Sequence, residues 1–354
     1  MIQTFFHLLS AAIVVLYLVI FILSTDVRKR EEPSGVVRVL VPTYNEADNI
    51  GSCLESLTSM EGKGIEHTIH VIDDNSPDGT ADVVRSSFPG AGLIQRERRT
   101  SKADALNSAV KDLEGDTFAV VDADCVVSGD WLGGIIEPLS EDEHGVSSGS
   151  ILVRNRRESI WARVQSCELA FLCHQLMRPV ERVGMLYSIN GNNFAFTREC
   201  WERVGGFDPS KLTEDNDFAV KTRLAGLQIG FARAKVFTRV PSGLGELLRQ
   251  RRRWYLGWYQ NLSSASLFAG ALFILLFFYA FVFFVAAFSI YTVAMAAIYY
   301  LELLVTYRKA YGSIDPLSPL LFIVLSPFLS TAIILTALPS ALRGKDQLDF
   351  KKHW

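Results

Sequence analysis

The chain is 354 residues long, 49% of its residues are hydrophobic, its mean hydropathy is +0.21 and its net charge is −3. This apolar content is high for a soluble protein, and the small net charge gives no reason to expect a nucleic-acid partner. The five cysteines include no Cys-x-x-Cys pair, which argues against a disulfide framework or a zinc site and suits a reducing compartment.

The first element along the chain is an apolar tract at residues 4–24 that contains no Asp, Glu, Lys or Arg. It is long enough to cross a bilayer, which takes about 20 apolar residues. A cleaved signal peptide is the alternative interpretation, but no basic residue precedes the tract and no small-x-small cleavage site follows it. Basic residues come afterwards, at 28–30, so the positive-inside rule predicts an outside N-terminus and a cytosolic domain.

The polar middle of the chain alternates strand-like and helix-like patterns. Such alternation predicts a mostly parallel sheet that is covered by helices on both faces. Residue 48 or 49 is a plausible N-cap of the first helix. The predicted strands are 36–41, 68–72, 93–94 and 117–121, and the predicted helices follow residue 49, start near 81 and cover 102–113.

Polar groups follow three of these strands, at residues 43–46, at Asp73 and Asp74, and at Asp122 and Asp124. Ligands of parallel sheets bind beyond the carboxyl ends of the strands. Acids in turns also cap helices or bond nearby amides, but three clusters at one end of a sheet favour a binding site. The sequence holds no G-x-G-x-x-G and no Walker A loop, so neither a dinucleotide cofactor nor an ATPase is supported.

Two acidic motifs suggest specific chemistry. Asp122 and Asp124 are predicted to share one side of an extended strand end, where paired carboxylates suit Mg²⁺ or Mn²⁺. Glu214 and Asp215 open a predicted helix that runs to residue 225. They are either favourable first-turn acids behind an N-cap at Thr213, or Asp215 is a base that deprotonates an acceptor hydroxyl.

A Gln-Arg-Arg-Arg-Trp run at 250–254 precedes the next apolar tract. Its guanidinium groups, Arg251 to Arg253, could neutralise a diphosphate leaving group, and Trp254 offers a flat face for a sugar ring. The alternative is that the basic residues only mark the cytoplasmic end of a membrane segment.

Two apolar tracts close the chain. Residues 262–301 carry no charge and fit two spans of about 20 residues each, and residues 316–342 fit one more. Four spans would leave the basic tail outside, which the positive-inside rule disfavours; three spans or a re-entrant segment would remove the conflict. We favour four spans and a multi-pass protein of the plasma membrane. Its predicted parts are an anchor at 1–27, a cytosolic domain at 28–260, two or three membrane helices within 261–342, and a tail at 343–354.

The ordered motif set resembles membrane-embedded family 2 glycosyltransferases of the Asp, Asp, Asp, Gln-x-x-Arg-Trp type, which include cellulose, chitin and hyaluronan synthases and ceramide glucosyltransferases. The likeness covers about residues 38–257. It implies an α/β GT-A fold, Rossmann-like with a mostly parallel sheet, flanked by transmembrane helices. It also implies an inverting, metal-dependent transfer from a nucleotide-sugar, usually UDP-linked, at the cytosolic face of the membrane.

The resemblance further implies a role for each motif. Asp215 would be the catalytic base, assisted by Glu214 and Arg253, and Asp122 and Asp124 would hold Mg²⁺ or Mn²⁺. The residues that would bind the nucleotide-sugar are Pro42, Tyr44, Glu46, Asp73, Asp74, Lys102, Asp122, Gln250, Arg252 and Arg253. The residues that would bind the acceptor are Trp254, Gly191 and Asn192.

The acceptor stays open at the level of sequence. The Gln-x-x-Arg-Trp signature favours a growing polysaccharide, whereas one predicted span before the domain and few after it look closer to ceramide glucosyltransferase, whose acceptor is a lipid. A homo-oligomer could supply a polysaccharide channel. A non-catalytic membrane scaffold is the remote alternative, because none of the expected acids is missing.

Overall fold

The computed structural model describes residue 19 and residues 36–61, 64–141, 143–261 and 290–341. The predicted anchor, apart from Val19, the tract at 262–289 and the tail at 343–354 lie outside the described residues.

The described strands form one eight-stranded sheet in the order β3-β2-β1-β4-β7-β6-β8-β5. The first four strands in this order are parallel, β7 is antiparallel to both of its neighbours, β6 and β8 are parallel, and β5 is antiparallel to β8. The predicted mostly parallel sheet is confirmed. The strands are β1 Val37–Thr43, β2 His67–Asp73, β3 Gly92–Gln95, β4 Thr117–Val121, β5 Val126–Val127, β6 His144–Val153, β7 Asn193–Thr197 and β8 Gln228–Thr238.

Helices precede or follow most of these strands. A π-helical segment at Leu172–Met177 joins two consecutive helices, and a short 3-10 turn at Glu137–Ser140 precedes β6. The helices are α1 Ile50–Thr58, α2 Thr80–Ser87, α3 Lys102–Asp112, α4 Trp131–Ile136, α5 Ile160–Phe171, α6 Arg178–Arg182, α7 Arg198–Val204, α8 Glu214–Leu224, α9 Leu244–Gln260, α10 Ile290–Tyr311 and α11 Leu317–Ala341.

Alternate residues of the central strands point to opposite faces of the sheet, and both faces are buried. Val39 of β1 and Ala119 of β4 belong to one apolar cluster, whereas their neighbours Leu40 and Val120 belong to another. A parallel sheet that is buried on both sides needs a helical layer on each.

Because β7 is antiparallel to β4, the N-terminal end of β7 lies beside the C-terminal end of β4. Asn193, its first residue, pairs with Val121, the last residue of β4. Gly191 and Asn192 therefore lie beside Asp122, at the same edge as the carboxyl ends of β1 and β2.

One local prediction was wrong, and another was confirmed in position alone. The first strand does not end before Pro42 but continues to Thr43. Asn49 is the N-cap residue of α1, yet its side chain makes no cap hydrogen bond. Its amide instead donates to the Glu46 carboxylate over 2.7 Å.

The C-terminal helices do not divide where the sequence suggested. α10 continues past residue 301 to Tyr311, and Leu303 and Tyr307 are buried against Val164 and Cys167 of α5. Leu317–Ala337 has a mean hydropathy of 2.3, and among the described helices it alone is long and apolar enough to cross a membrane. The four-span arrangement stays a prediction.

Candidate active site

Hydrogen bonds join the end of β1 and the loop after it, residues 43–46, to the loop after β2, residues 74–80; together these segments are called the β1–β2 shelf. The Asp74 amide donates to the Thr43 carbonyl over 3.0 Å, and the Glu46 amide donates to Thr80 Oγ1 over 3.0 Å. The Asn45 amide donates to Ser76 Oγ, and Asn45 itself adopts a left-handed φ of 58°, a conformation that Asn tolerates better than most residues. The first two predicted motifs thus come together.

The two acids at the end of β2, Asp73 and Asp74, are fully buried and have different partners. Both oxygens of Asp73 accept from the Ser76 amide at 3.3 Å, and burial raises the pKa of this carboxyl. Asp74 accepts from the Thr100 amide at 2.7 Å and pairs with Arg96 at 3.4 Å. Asp74 therefore ties the end of β2 to the loop before α3.

Tyr44 and Pro42 also lie at this edge. Pro42 is buried within β1, whereas Tyr44 is half-buried. The Arg99 guanidinium lies 3.9 Å from the centre of the Tyr44 ring, a cation–π contact that occupies one face of the ring.

Asp122 and Asp124 lie in a turn after β4, in which the Cys125 amide donates to the Asp122 carbonyl over 3.0 Å. The predicted extended strand end is therefore wrong, although both carboxylates are half-buried while Ala123 and Cys125 are buried. Thr238 Oγ1 at the end of β8 and the Cys125 thiol donate to Asp124 over 3.2 and 3.3 Å. Burial and the charge of Asp122 raise the pKa of Asp124.

Glu46 lies near enough to the paired aspartates for their charges to act on it. Burial, together with the charges of Asp124 and Asp122, raises the pKa of Glu46 to about 7 against the opposing hydrogen bond from Asn49. A bound divalent cation would relieve this mutual repulsion, and half-buried carboxylate oxygens are the donors that Mg²⁺ and Mn²⁺ prefer. These residues fit such a cation.

The side chain of Lys102, the first residue of α3, bridges Asp122 and the loop before β7. Its Nζ contacts the Asp122 carboxylate and donates to the Gly191 carbonyl over 2.8 Å. Burial lowers the pKa of Lys102, but Asp122 and Glu214 outweigh it and hold the pKa above its ordinary value. Lys102 therefore stays charged.

Asp215 lies directly against Gly191. A Cβ atom on this glycine would stand 2.1 Å from Asp215 Oδ2, so the close approach requires glycine. Burial and the charge of Glu214 raise the pKa of Asp215 to about 6, against the opposing charges of Lys102 and Arg253. Asp215 is thus mostly ionised at neutral pH and able to accept a proton.

The three consecutive arginines of α9 point in different directions. Arg251 is buried, pairs with Glu168 over 2.6 Å, and lies 4.2 Å over the Trp254 ring. Arg252 donates to the Thr336 carbonyl of α11 over 3.2 Å. Arg253 is exposed and lies close enough to Asp215 to lower its pKa. Arg251 is therefore held by Glu168 and Trp254, whereas Arg252 and Arg253 as ligands of the nucleotide-sugar stay a prediction.

Two of the remaining predicted residues carry unpaired polar atoms. Oδ1 of Asn192 and Oε1 of Gln250 are buried and have no hydrogen-bond partner among the described residues. Trp254 is half-buried, and Arg251 covers one face of its ring.

Contacts that the sequence did not predict join α9 to the loop before Asp215. A Cβ on Gly257 would lie 2.5 Å from Thr213 Cγ2, and Asn261 Nδ2 donates to the Thr213 carbonyl over 3.0 Å. The Leu212 amide donates to Gln260 Oε1 over 3.0 Å. Thr213 is the N-cap residue of α8 and Glu214 and Asp215 lie in its first turn, as the capping interpretation predicts, but the Thr213 side chain makes no cap hydrogen bond. A glycine inside an amphipathic helix was the signal available in the sequence.

Residues 38–200 match the sequence model of Glycosyl transferase family 2. The chain carries a family 2 glycosyltransferase domain. The matched range includes the β1–β2 shelf, Lys102, the paired aspartates and Gly191, and it ends before Asp215 and α9.

Two groups of curated relatives match about two thirds of the chain. The poly-β-1,6-N-acetyl-D-glucosamine synthase of Staphylococcus aureus MSSA476 is 30% identical over 236 residues, which are 66% of this chain and 56% of that protein. The β-monoglucosyldiacylglycerol synthase of Synechocystis is 28% identical over 236 residues, which are 65% of this chain and 49% of that protein. The chain spans about half the length of the curated relatives it matches.

The solved structure of the mannosyltransferase PcManGT from Pyrobaculum calidifontis, in complex with GDP-Man and Mn²⁺, shares the fold. It superposes with a TM-score of 0.60 at 20% identity and covers 95% of this chain and 96% of its own. The family 2 domain therefore has the predicted GT-A fold.

Proposed function

We propose that this chain transfers a sugar from a nucleotide-sugar, UDP-linked, to an acceptor hydroxyl, with inversion and with Mg²⁺ or Mn²⁺. One observation carries the proposal. Lys102 contacts both the Asp122 carboxylate and the Gly191 carbonyl, and Gly191 abuts Asp215. Candidate cation ligands and a candidate base therefore lie around one lysine at one edge of the sheet.

The reaction follows from these positions. Asp215 accepts the proton of the acceptor hydroxyl while the acceptor oxygen attacks the anomeric carbon. The bond from that carbon to the diphosphate oxygen breaks, and the nucleoside diphosphate leaves. One displacement without an enzyme-bound intermediate inverts the anomeric centre. The pKa of about 6 suits this role, because a base works best when its pKa lies near the working pH.

The leaving diphosphate needs positive charge around it. Asp122 and Asp124, with Glu46 beside them, would hold the divalent cation, which supplies a Lewis acid to the phosphate oxygens when bound. Lys102, beside Asp122, and Arg253, near Asp215, add two permanent positive charges. The β1–β2 loops, including Tyr44 and Asp73, would hold the nucleotide.

Two acceptor classes follow from different observations. The Gln-x-x-Arg-Trp signature supports a growing polysaccharide, the acceptor class we predicted first. A contact of the apolar helix α11 supports a lipid. Its Ala337 is buried against Leu212 and Leu256, and Leu212 comes three residues before Asp215 in the chain. An apolar acceptor could approach along that helix. The names of the relatives include both a polysaccharide synthase and a glycolipid synthase.

Product size distinguishes the two classes. The full-length protein is incubated with radiolabelled UDP-sugars, one at a time, with Mg²⁺ or Mn²⁺ and membrane lipids. A water-soluble ladder indicates polymer synthesis, whereas one product that extracts into organic solvent indicates a glycolipid. Asp215→Asn is the matched control. If the wild-type protein consumes no donor faster than this variant, the proposed activity is wrong.

Nucleotide-sugars are made in the cytosol, so the domain is proposed to face it from an integral membrane position in the plasma membrane. Ser87, which is exposed at the end of α2, provides a labelling site. Ser87→Cys should resist an impermeant thiol reagent in intact cells and react after lysis. Reaction in intact cells would reverse the orientation. A homo-oligomer is proposed only for the polymer case, where it could form the channel.

A further inference from the structure

We infer that α11 lies in the plane of the membrane surface, with one face on the catalytic domain and the other in lipid, instead of crossing the bilayer. This inference concerns the C-terminal helices and is independent of the proposed reaction.

Both ends of α11 contact the catalytic domain. Just before its first residue, Asp315 pairs with Arg163 of α5 over 2.6 Å, and it also accepts from Ser318. Near its last turns, the Thr336 carbonyl accepts from Arg252 of α9, and the next residue, Ala337, is buried beside Leu212 and Leu256.

The middle of α11 stays on the same surface. Ser326, Leu329, Ser330 and Ile333 line a narrow crevice with Val164, Glu168, Leu247 and Arg251 of the domain. The helix is therefore in contact with α5 and then with α9 from one end to the other.

The length of this contact argues against a crossing. Leu317–Ala337 is 21 residues long, which is about 30 Å of helix and equals the thickness of the hydrocarbon core. If α11 crossed, α5 and α9 would have to cross with it. Arg163, Glu168, Arg251 and Arg252 would then lie at membrane depth, where charged side chains are costly.

The outer face of α11 is apolar along its whole length. Leu317, Leu320, Val324, Phe328 and Leu335 recur at helical spacing and are 38% to 64% exposed. A contiguous apolar stripe of this kind is rare on a protein surface that faces water. The acyl chains of a lipid leaflet can cover this stripe, while Ser326 and Ser330 on the other face of the helix contact the domain.

A neighbouring stripe and its charges indicate the orientation. α10 exposes Ile298, Leu301 and Val305, and the stripe ends at the exposed residues Arg308 and Lys309. Basic residues at this position complement anionic lipid headgroups on the cytosolic side. The partner of this surface is therefore a lipid leaflet with anionic headgroups.

An in-plane α11 also removes the conflict between the four-span arrangement, which puts the basic tail outside, and the positive-inside rule. The turn between α10 and α11 lies on the domain, because the Val153 amide donates to Tyr311 Oη over 3.0 Å and Asp315 pairs with Arg163. An in-plane α11 leaves the basic residues of 343–354 on the same side of the membrane as the domain, as the positive-inside rule requires.

Sidedness provides the first test. All five native cysteines are buried, so single variants of the full-length protein report only the new thiol. Ser87→Cys on the domain and Gln347→Cys in the tail are compared in right-side-out and inverted membrane vesicles with an impermeant reagent. Both should react in the same vesicle preparation. Reaction of the two from opposite sides would show that α11 crosses.

Depth provides the second test. Spin labels are placed singly at Leu320→Cys, Phe328→Cys and Leu335→Cys, and depth is measured by relaxation with oxygen and with a water-soluble nickel chelate in anionic vesicles. All three labels should lie at one shallow depth, about 5–10 Å below the headgroups. A label at Phe328 that reaches the bilayer centre would refute the inference. Protection of all three labels from both reagents would refute it too, because a second copy of the chain would then cover the stripe.

Discussion

Gly191→Ala tests how closely the candidate base depends on the backbone beside it. The added Cβ would stand 2.1 Å from Asp215 Oδ2 and 2.8 Å from its Cγ. Since non-bonded heavy atoms sit about 3.5 Å apart, the carboxylate has to move by about 1.4 Å. A displacement of about 1 Å at a reacting group can reduce the rate about 10²-fold. We therefore expect kcat to fall about 100-fold.

The assay is initial-rate sugar transfer at saturating donor, together with calorimetry of UDP binding and a thermal melt. Binding of UDP should change little, because the displaced group serves the acceptor side. Gly51→Ala in α1 is the matched control, since its Cβ would meet no atom within 4 Å. This control should keep wild-type activity.

A double variant shows whether the loss acts through the base. Gly191→Ala added to Asp215→Asn should cost almost nothing more, because the base is already gone. The reasoning fails if Gly191→Ala keeps activity within about threefold of wild type, or if the two losses simply multiply.

Four further expectations follow from the same site. Asp124→Asn should abolish transfer while the melt is unchanged, and EDTA should abolish wild-type activity until Mg²⁺ or Mn²⁺ is returned; full activity in chelator would contradict the cation assignment. Because Asp215 works ionised and its pKa is raised to about 6, kcat/KM should fall as the pH drops through about 6. That acid limb should be absent from the residual activity of Asp215→Asn, and its persistence there would assign it to another group. Arg253→Ala should weaken UDP binding and slow turnover, whereas Asp215→Asn should slow turnover alone by about 10²-fold or more, so equal loss of UDP binding in both would place Asp215 on the donor side. Gly257→Ala should raise the helix propensity of α9, but its new Cβ would lie 2.5 Å from Thr213 Cγ2 and displace Thr213. Activity should therefore fall, and Thr213→Ala should partly restore it. Unchanged activity in the single variant would contradict this contact.

The strands β1 to β4 could be predicted because they are short apolar runs that end in turn residues. β2 and β4 were predicted within one residue of their observed ends, and parallel pairing then brings the acids after β1, β2 and β4 to one edge. β6 was not predicted. All ten of its residues are buried, yet several are Ser or Gly. Ser147 and Ser148 are satisfied by the Ile135 carbonyl and the Asn190 amide, partners that only the folded chain brings close.

The arginines of α9 illustrate a different limit. In the sequence, Arg251 to Arg253 form one basic run, but each residue of a helix is rotated by about 100° from the one before. Consecutive side chains therefore meet three environments: a half-buried glutamate, the backbone of α11 and the candidate base. The identity of each partner depends on elements that lie more than 30 residues away along the chain. Residue type alone could not assign them.

The amide of Asn193 has a consequence for altering this protein by design. Its Oδ1 accepts from the Trp131 indole over 2.8 Å, and its Nδ2 donates to the carbonyls of Ser150 and Ala234 over 2.9 and 3.3 Å. The first residue of β7 is therefore clamped to three other elements and leaves little room for sequence change. In the preceding loop, Leu186 and Ile189 are also buried in the core, whereas Val183 and Met185 are exposed. A library near this edge of the sheet should therefore vary Val183 and Met185 and keep β7 constant, so that the strand beside the site does not move.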